Sequence, residues 1–234
     1  MGKIRVAAVS YLNSIPFIYG LEKSGLLSEE IDLSLDIPSV CSDKILSNQV
    51  DLGLIPIATI PSLKKSKIIG DYCIGSNGPV ETVCLFSNVS LNKIKNIILD
   101  FHSRTSVQLL HVLSKYFWKI NPSFIPGKKG FEKLIFKDTA ALIIGDRSYQ
   151  YRHKYKYVYD LSEEWFNHTK LPFVFACWVA NKGLSIDFER RFLLALKLGL
   201  QNINAAINER GGNYLTQINK LLNFTSKCIM ELII

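Results

Sequence analysis

The sequence predicts an α/β protein with two lobes, and three observations support this fold class. Strand-like and helix-like runs alternate as β-α-β-α-β within the first sixty residues, which is the order of a parallel, doubly wound unit. Further on, the β-rich runs 73–74 and 80–87 are separated by a Gly/Pro turn and no helix. The long β-rich run 173–180 is the expected partner of the second of these runs. Two α/β units joined by two crossing strands, with a central cleft and a hinge, account for all three observations.

The expected boundaries follow from those crossing strands. Lobe one is predicted to comprise residues 1–82 and 180–234, and lobe two residues 83–179. From Asp187 the apolar spacing is helical, over residues 188–208 and then roughly 213–222. These helices are expected to pack on lobe one.

Three strands are predicted in the first part of lobe one. The run Ile4–Val9 is apolar, and Ile31–Ile37 alternates apolar and polar residues as a half-buried strand does. The third run, Val50–Ile57, reads as a strand buried on both faces. In lobe two, we expect a buried strand at 97–100 and a strand followed by a turn at 140–146.

Other predicted elements of lobe two are a helix, a loop and a small strand at 157–161. Ser103 opens an apolar stretch that is predicted to be helical as far as Trp118. Residues 121–130 contain two prolines and two glycines, which favours a loop.

The composition is that of an ordinary globular protein. The chain has 234 residues, of which 48% are hydrophobic and 21% charged. Its net charge of +8 fits either a proteome rich in Lys, Ile and Asn or a positive field that attracts a small anion. No nucleic-acid-binding motif accompanies the charge, so no nucleic-acid partner is expected.

The cysteines and the apolar runs indicate the cellular compartment of the protein. The five cysteines are far apart and form no C-x-x-C pair, which favours reduced thiols over disulfides or a zinc site. No apolar run resembles a signal peptide or reaches the length of a membrane span. We therefore expect a cytoplasmic protein without membrane insertion, as a monomer or homodimer.

The stretch Val9–Pro16 connects the first strand to the first helix. It places small polar residues at the carboxyl end of a strand, where open α/β sheets bind ligands. Ser10, Asn13 and Ser14 fit this binding role, and they equally fit helix capping with Pro16 in the first turn. Position by itself favours neither interpretation.

Three further polar loops follow predicted strands, at 76–78, 103–106 and 145–146. Hydroxyls and backbone N–H groups at the start of a helix bind carboxylate or phosphate, although Ser103 or Thr105 would also serve as a cap. Gly78 either lets the backbone approach a ligand or forms an ordinary Gly-Pro turn.

The titratable residues near these loops are few. None of the four histidines has ligand spacing with another histidine, cysteine or carboxylate, so no metal is expected. His102 adjoins the 103–106 loop, Glu81 lies near the predicted hinge, and Asp146 either acts as a base or holds its loop. Motifs of serine hydrolases and nucleotide-binding proteins are absent from the sequence.

Taken together, these loops resemble the chorismate dehydratases of the futalosine route to menaquinone. The motifs keep the order they have in that family, and they span residues 9 to 178. They are Val9–Pro16, Asp51–Ile57, Gly75–Val80, Ser103–Ser106, Leu142–Asp146 and Leu171–Trp178.

The resemblance implies a type II periplasmic-binding-protein-like fold, chorismate as substrate and 3-[(1-carboxyvinyl)oxy]benzoate as product, with no cofactor. We predict Asn13 as the catalytic residue, which would orient the substrate and assist departure of the C4 hydroxyl. The predicted substrate-binding residues are Ser10, Tyr11, Asn13, Ser76, Asn77, Gly78, Ser103, Arg104, Thr105, Ser106, Gly145 and Asp146.

The implied reaction fits these residue types. Chorismate is a dicarboxylate, which matches the positive charge and the hydroxyls at helix starts. The motifs offer no convincing His or Glu base, so we hypothesise that the enolpyruvyl carboxylate of the substrate takes the C3 proton. Two alternatives stay open: 1,4-dihydroxy-6-naphthoate synthase on the same fold, and a non-catalytic protein that binds a small carboxylate.

Overall fold

The computed structural model describes residues 2–210 and the short strand 229–231. The strands are β1 Ile4–Val9, β2 Ile31–Asp36, β3 Leu52–Pro56, β4 Lys67–Ser76, β5 Val83–Ser87, β6 Asn96–Leu99, β7 Ser123–Pro126, β8 Thr139–Ile144, β9 Tyr157–Asp160, β10 Phe173–Ala180 and β11 Ile229–Glu231. The α-helices are α1 Ile15–Lys23, α2 Pro38–Leu46, α3 Thr105–Val112, α4 Leu161–Thr169, α5 Ile186–Gln201 and α6 Ile203–Arg210.

Backbone contacts divide the chain into two compact units. Unit one comprises residues 1–75 and 174–234, and unit two comprises residues 76–173. The chain leaves unit one at the end of β4 and returns to it at the start of β10. Both boundaries between the units lie a few residues earlier in the chain than the lobe boundaries expected from the sequence. The second boundary is earlier because most of β10 belongs to unit one.

Unit one is built on a six-stranded sheet with the strand order β11-β4-β10-β3-β1-β2. Strand β1 is parallel to both β2 and β3, as the predicted β-α-β-α-β order requires. The core on this sheet contains Phe17, Trp178 and Phe192, and the Trp178 ring makes edge contacts with both phenylalanines at 6.0 and 5.0 Å. Gly20 lets α1 approach α5, because a Cβ there would lie 2.0 Å from the Ala195 carbonyl oxygen.

A buried carboxylate fixes the start of β3 in unit one. Asp51 accepts hydrogen bonds from the backbone N–H and the guanidinium of Arg5, and its carboxylate lies 3.1 Å from the Lys182 ammonium. Burial by itself raises the pKa of Asp51, but these hydrogen bonds outweigh it and lower the pKa to about 2. The ionised carboxylate therefore stabilises unit one.

Unit two is built on a five-stranded sheet with the strand order β7-β6-β8-β5-β9. Strand β6 runs parallel to β7 and β8, whereas β5 is antiparallel to β8 and β9. The carboxyl ends of β6, β7 and β8 therefore lie at one edge of the sheet. The loops that follow these three strands are neighbours for that reason.

The prediction that β10 pairs with β5 is wrong. Strand β10 pairs with β3 and lies beside β4 in unit one, while both edges of β5 are occupied by β8 and β9. The physical reason is burial: β10 is buried along most of its length and carries Trp178, which is fully buried in the unit-one core.

Two other expectations need correction. The predicted loop 121–130 contains the edge strand β7, and the single helix expected over 188–208 is broken at Asn202 into α5 and α6. The helix expected near 213–222 lies outside the described residues. Among the described helices, none has the length and apolar character needed to cross a membrane.

Candidate functional site

In unit one, the loop after β1 contains a short 3-10 helix, Leu12–Ser14, directly before α1. Neither Tyr11 nor Ser14, which occupy the N-cap positions of the two helices, makes a side-chain cap hydrogen bond. Pro16 lies in the first turn of α1, as the sequence predicts. The capping interpretation is therefore wrong for Ser14, the N-cap residue of α1.

Asn13 is the candidate ligand-binding side chain of this loop. It is half-buried, and its Oδ1 accepts a hydrogen bond from Ser14 Oγ at 3.3 Å. Its amide nitrogen has no hydrogen-bond partner within residues 2–210, so both amide hydrogens are available to donate. The backbone N–H of the exposed Ser10 donates to Asp36 O at 2.9 Å, which ties the loop to the end of β2. Tyr11 is partly buried against the unit-one core.

In unit two, residues 76–78 form a tight turn. Ser76 is buried, and its hydroxyl lies 2.9 Å from the carbonyl oxygen of Gly78 and 3.1 Å from that of Pro79. Gly78 has φ = 106°, a value that favours glycine, and Asn77 is exposed. Ser76 therefore stabilises the turn, and Asn77 is its exposed polar side chain.

A carboxylate that the sequence arguments missed holds this turn in place. Asp160 accepts hydrogen bonds from the backbone N–H groups of Val80, Glu81, Ser162 and Glu163. It caps α4 and at the same time fixes the chain just before β5. Burial raises the pKa of Asp160, while the four N–H groups act to lower it.

The loop 103–106 starts α3 at the carboxyl end of β6. Ser103 Oγ accepts from the Ser106 backbone N–H at 3.0 Å, so the capping role of Ser103 is confirmed. Within the described chain, the Ser103 hydroxyl hydrogen has no acceptor and the Ser106 hydroxyl has no partner. Thr105 and Ser106 are only 4% and 3% exposed. Two serine hydroxyls are thus free to donate at the first turn of a helix, whose dipole favours an anion.

A buried ion cluster joins this loop to the end of β8. Asp100 is 1% exposed and accepts from the backbone N–H of His102 at 2.9 Å and of Ile144 at 2.8 Å. The Arg147 guanidinium pairs with Asp100 and also with Glu132. One carboxylate therefore holds the 103–106 loop and the 145–146 loop side by side.

Gly145 and His102 lie in or next to the candidate loops of unit two. The Gly145 N–H donates to Thr82 O at 2.9 Å, and its φ of 73° lies in the left-handed region. Asp146 begins a 3-10 helix, Asp146–Tyr151. Burial lowers the pKa of His102, and the positive charge of Arg147 lowers it further. The carboxylates of Asp100 and Glu132 oppose these two effects. His102 is therefore neutral at pH 7.

The structure groups the predicted residues within each unit. Ser10, Tyr11 and Asn13 share one loop of unit one, and the remaining nine lie on three loops of unit two. Asp100, Asp160 and Arg147 were missed, and only Asp100, at the end of a strand before a polar loop, gave a sequence signal. Within the described ranges, no group of three or more His, Cys, Asp or Glu residues is arranged to hold a metal ion.

Comparisons with known proteins agree with this fold. A family model for menaquinone biosynthesis matches residues 4–223. A chorismate dehydratase from Thermus thermophilus is 33% identical over 174 residues, which cover 67% of this chain and 57% of that protein. The chain thus aligns with little more than half the length of this relative.

Two solved structures show the same architecture at low sequence identity. An Archaeoglobus fulgidus protein is 17% identical with a TM-score of 0.64, covering 96% of this chain and 82% of its own. A Candida albicans protein, described as having the generic periplasmic binding protein fold, is 11% identical with a TM-score of 0.66. The match covers 99% of this chain and 82% of the Candida albicans protein. The fold is therefore periplasmic-binding-protein-like, and the match over residues 4–223 shows that the chain belongs to the menaquinone biosynthesis family.

Proposed function

We propose that this chain is a chorismate dehydratase, a hydro-lyase that removes water from chorismate to give 3-[(1-carboxyvinyl)oxy]benzoate. The observation that carries the proposal is the 33% identity to the Thermus thermophilus chorismate dehydratase over 67% of the chain. Membership of the menaquinone biosynthesis family agrees with it. None of these comparisons favours the naphthoate synthase or a non-catalytic binding protein.

The start of α3 is suited to one of the two substrate carboxylates. Ser103 and Ser106 each have a hydroxyl that can donate, and Ser106 is almost fully buried. Low solvent access strengthens hydrogen bonds from these groups to an anion. Donors on the ring carboxylate would stabilise the charge that develops there as the C3 proton leaves.

The elimination breaks two bonds of the substrate. The C3–H bond gives up its proton to a base, its electrons form the C3–C4 double bond, and the C4–O bond breaks to release the hydroxyl as water. The ring becomes aromatic, which supplies the driving force. The protein has to position the substrate and to assist departure of the hydroxyl.

The base in this proposal is the enolpyruvyl carboxylate of the substrate. The buried carboxylates are poor candidates, because Asp100 accepts from two N–H groups and Arg147, and Asp160 accepts from four N–H groups. Their lone pairs are already used in holding the loops. His102 is the neutral protein group that has to be excluded by experiment.

Asn13 is proposed to act on the leaving group. Its free amide hydrogens can donate to the C4 oxygen and so orient the substrate and assist loss of the hydroxyl. The other predicted binding residues stay proposed substrate contacts, each within its own unit: Ser10 and Tyr11 in unit one, and Ser76, Asn77, Gly78, Ser103, Arg104, Thr105, Ser106, Gly145 and Asp146 in unit two.

Ultraviolet absorbance tests the proposal, because the reaction converts a cyclohexadiene to an aromatic ring. Wild-type protein should change the spectrum of chorismate at a rate proportional to protein concentration, and Asn13→Ala should do so far more slowly. A wild-type protein that binds chorismate and leaves its spectrum unchanged would show that the chain is a binding protein.

A further inference from the structure

A lysine-lined groove lies at the edge of the unit-two sheet that carries the candidate site. Strands β6 and β7 are parallel, and Leu99 at the end of β6 is paired with Pro126 at the end of β7. The Gly127 N–H donates to Leu99 O at 2.9 Å. The loop after β7 therefore starts beside Asp100, the residue that anchors the 103–106 loop.

The groove combines apolar walls with positive charge. It has a volume of about 330 Å³. The residues that define its character are Ile98, Phe131, Leu134, Lys128, Lys129 and Lys133. A six-membered carbon ring that carries carboxylate groups matches this combination, because the ring contacts the apolar side chains while the ammonium groups attract the carboxylates.

The charge of the three lysines is only partly compensated locally. Within the described part of the chain, none of them forms an ion pair with a carboxylate. The neighbouring Glu132 and Asp100 both pair with Arg147, so this cluster keeps one negative charge against the three lysines, and Asp138 lies 3.3 Å from Lys95. The groove thus presents positive charge beside the helix start at which we place a substrate carboxylate.

We propose that Lys128, Lys129 and Lys133 form a capture site, which binds the anionic substrate before it moves to the 103–106 loop. This inference rests on the proposed function, since chorismate supplies a ring and two carboxylates, one on the ring and one on its enolpyruvyl side chain. Charge concentrated next to a site raises the association rate of an oppositely charged ligand, and salt screens the effect. The capture site therefore acts on kcat/KM and makes it depend on ionic strength.

Charge reversal with a matched control tests the capture site. The test variant is Lys128→Glu/Lys129→Glu. The control is Lys64→Glu/Lys65→Glu, which reverses another adjacent, exposed pair, in unit one. At about 0.01 M ionic strength, where the screening length is about 30 Å, kcat/KM should fall about tenfold in the test variant and less than about twofold in the control. At about 1 M, where that length is about 3 Å, the two variants should agree within about twofold.

The size of the charge change gives a further check. Lys128→Gln/Lys129→Gln changes the charge by half as much, so its loss at low salt should be about threefold. Equal losses in the test and control variants, or a loss that persists unchanged at high salt, would overturn the capture site.

A binding measurement separates this inference from the proposed function. Isophthalate is a ring dicarboxylate that cannot undergo the elimination, and its binding can be followed by calorimetry at low salt. Weaker binding in Lys128→Glu/Lys129→Glu than in the control supports the capture site whether or not chorismate reacts. Equal isophthalate affinity in both variants refutes the capture site even if wild-type protein dehydrates chorismate.

Discussion

The buried cluster of Asp100, Arg147 and Glu132 predicts a large and non-additive effect on stability. Replacing Arg147 with Met keeps the apolar stem of the side chain and removes the guanidinium. Asp100, whose side chain is fully buried, then loses its cationic partner. Its two backbone N–H donors remain, and they hold the ends of β6 and β8 together.

The expected cost follows from the burial of the two partners. Removing one partner of a buried ion pair costs about 3–5 kcal/mol of unfolding free energy. The Arg147 side chain is 24% exposed, so water reaches the vacated position and the lower end of that range, about 3 kcal/mol, applies. Asp100→Asn should cost about 1–2 kcal/mol, because a neutral amide still accepts from one N–H group.

Urea denaturation of unit two measures these costs. The chain contains three tryptophans, and Trp118 and Trp165 both lie in unit two. A Trp178→Phe background leaves these two as fluorescence reporters of unit two. The double variant Arg147→Met/Asp100→Asn removes both charges of the pair. Its loss of unfolding free energy should therefore be smaller than the sum of the two single losses by at least about 1.5 kcal/mol. Single costs that add within about 0.5 kcal/mol would refute the coupling.

Three further predictions concern single residues. Asn13→Ala should lower turnover at least about a hundredfold while the free energy of unfolding stays within about 0.5 kcal/mol, because the side chain has one long hydrogen bond; single-turnover kinetics and denaturation check this. His102→Gln should keep turnover within about tenfold and leave the rate flat between about pH 7 and 8, since burial already keeps the wild-type imidazole neutral there. Asp51→Asn should remove about 1 kcal/mol of unfolding free energy, a value that is small because the partners Arg5 and Lys182 are half-exposed. Wild type has this stability above about pH 4 and loses it as the pH falls through about 2, because the pKa of Asp51 is lower in the folded than in the unfolded state. Acid denaturation of wild type and variant measures the difference.

Each of these predictions has a contrary outcome. Unchanged turnover in Asn13→Ala would remove that residue from the catalytic role. A loss above about a thousandfold in His102→Gln, with chorismate binding intact, would point to a protein base in place of the substrate carboxylate. The same loss in Glu81→Gln or Asp146→Asn would have the same meaning. Acid denaturation of Asp51→Asn that coincides with wild type would show that the Asp51 pairs do not stabilise unit one.

The sequence predicts local structure in this protein better than strand pairing. The loop Val9–Pro16 is found between β1 and α1 because an apolar run, polar residues and a proline at the helix start act on adjacent residues. The neighbours of β10 depend on residues more than a hundred positions away, such as Leu54 opposite Trp178. Apolar runs of similar composition do not distinguish among such distant partners.

The same distinction applies to the site. The hydroxyls of 103–106 stand out because they follow a strand and precede a helix. The pairing of Asp100 with Arg147 joins residues 47 positions apart, and a lone aspartate and arginine carry no spacing signal. Arguments from sequence therefore single out the polar loop residues as candidate ligand groups and miss the buried residues that hold these loops in place.

Mass spectrometry of the products formed from chorismate tests the central proposal most directly. The account predicts that wild-type protein converts chorismate to a compound lighter by one water, with the fragmentation of an aromatic carboxyvinyl ether. Chorismate recovered intact after prolonged incubation with folded protein, or a product that retains the C4 oxygen, would contradict it.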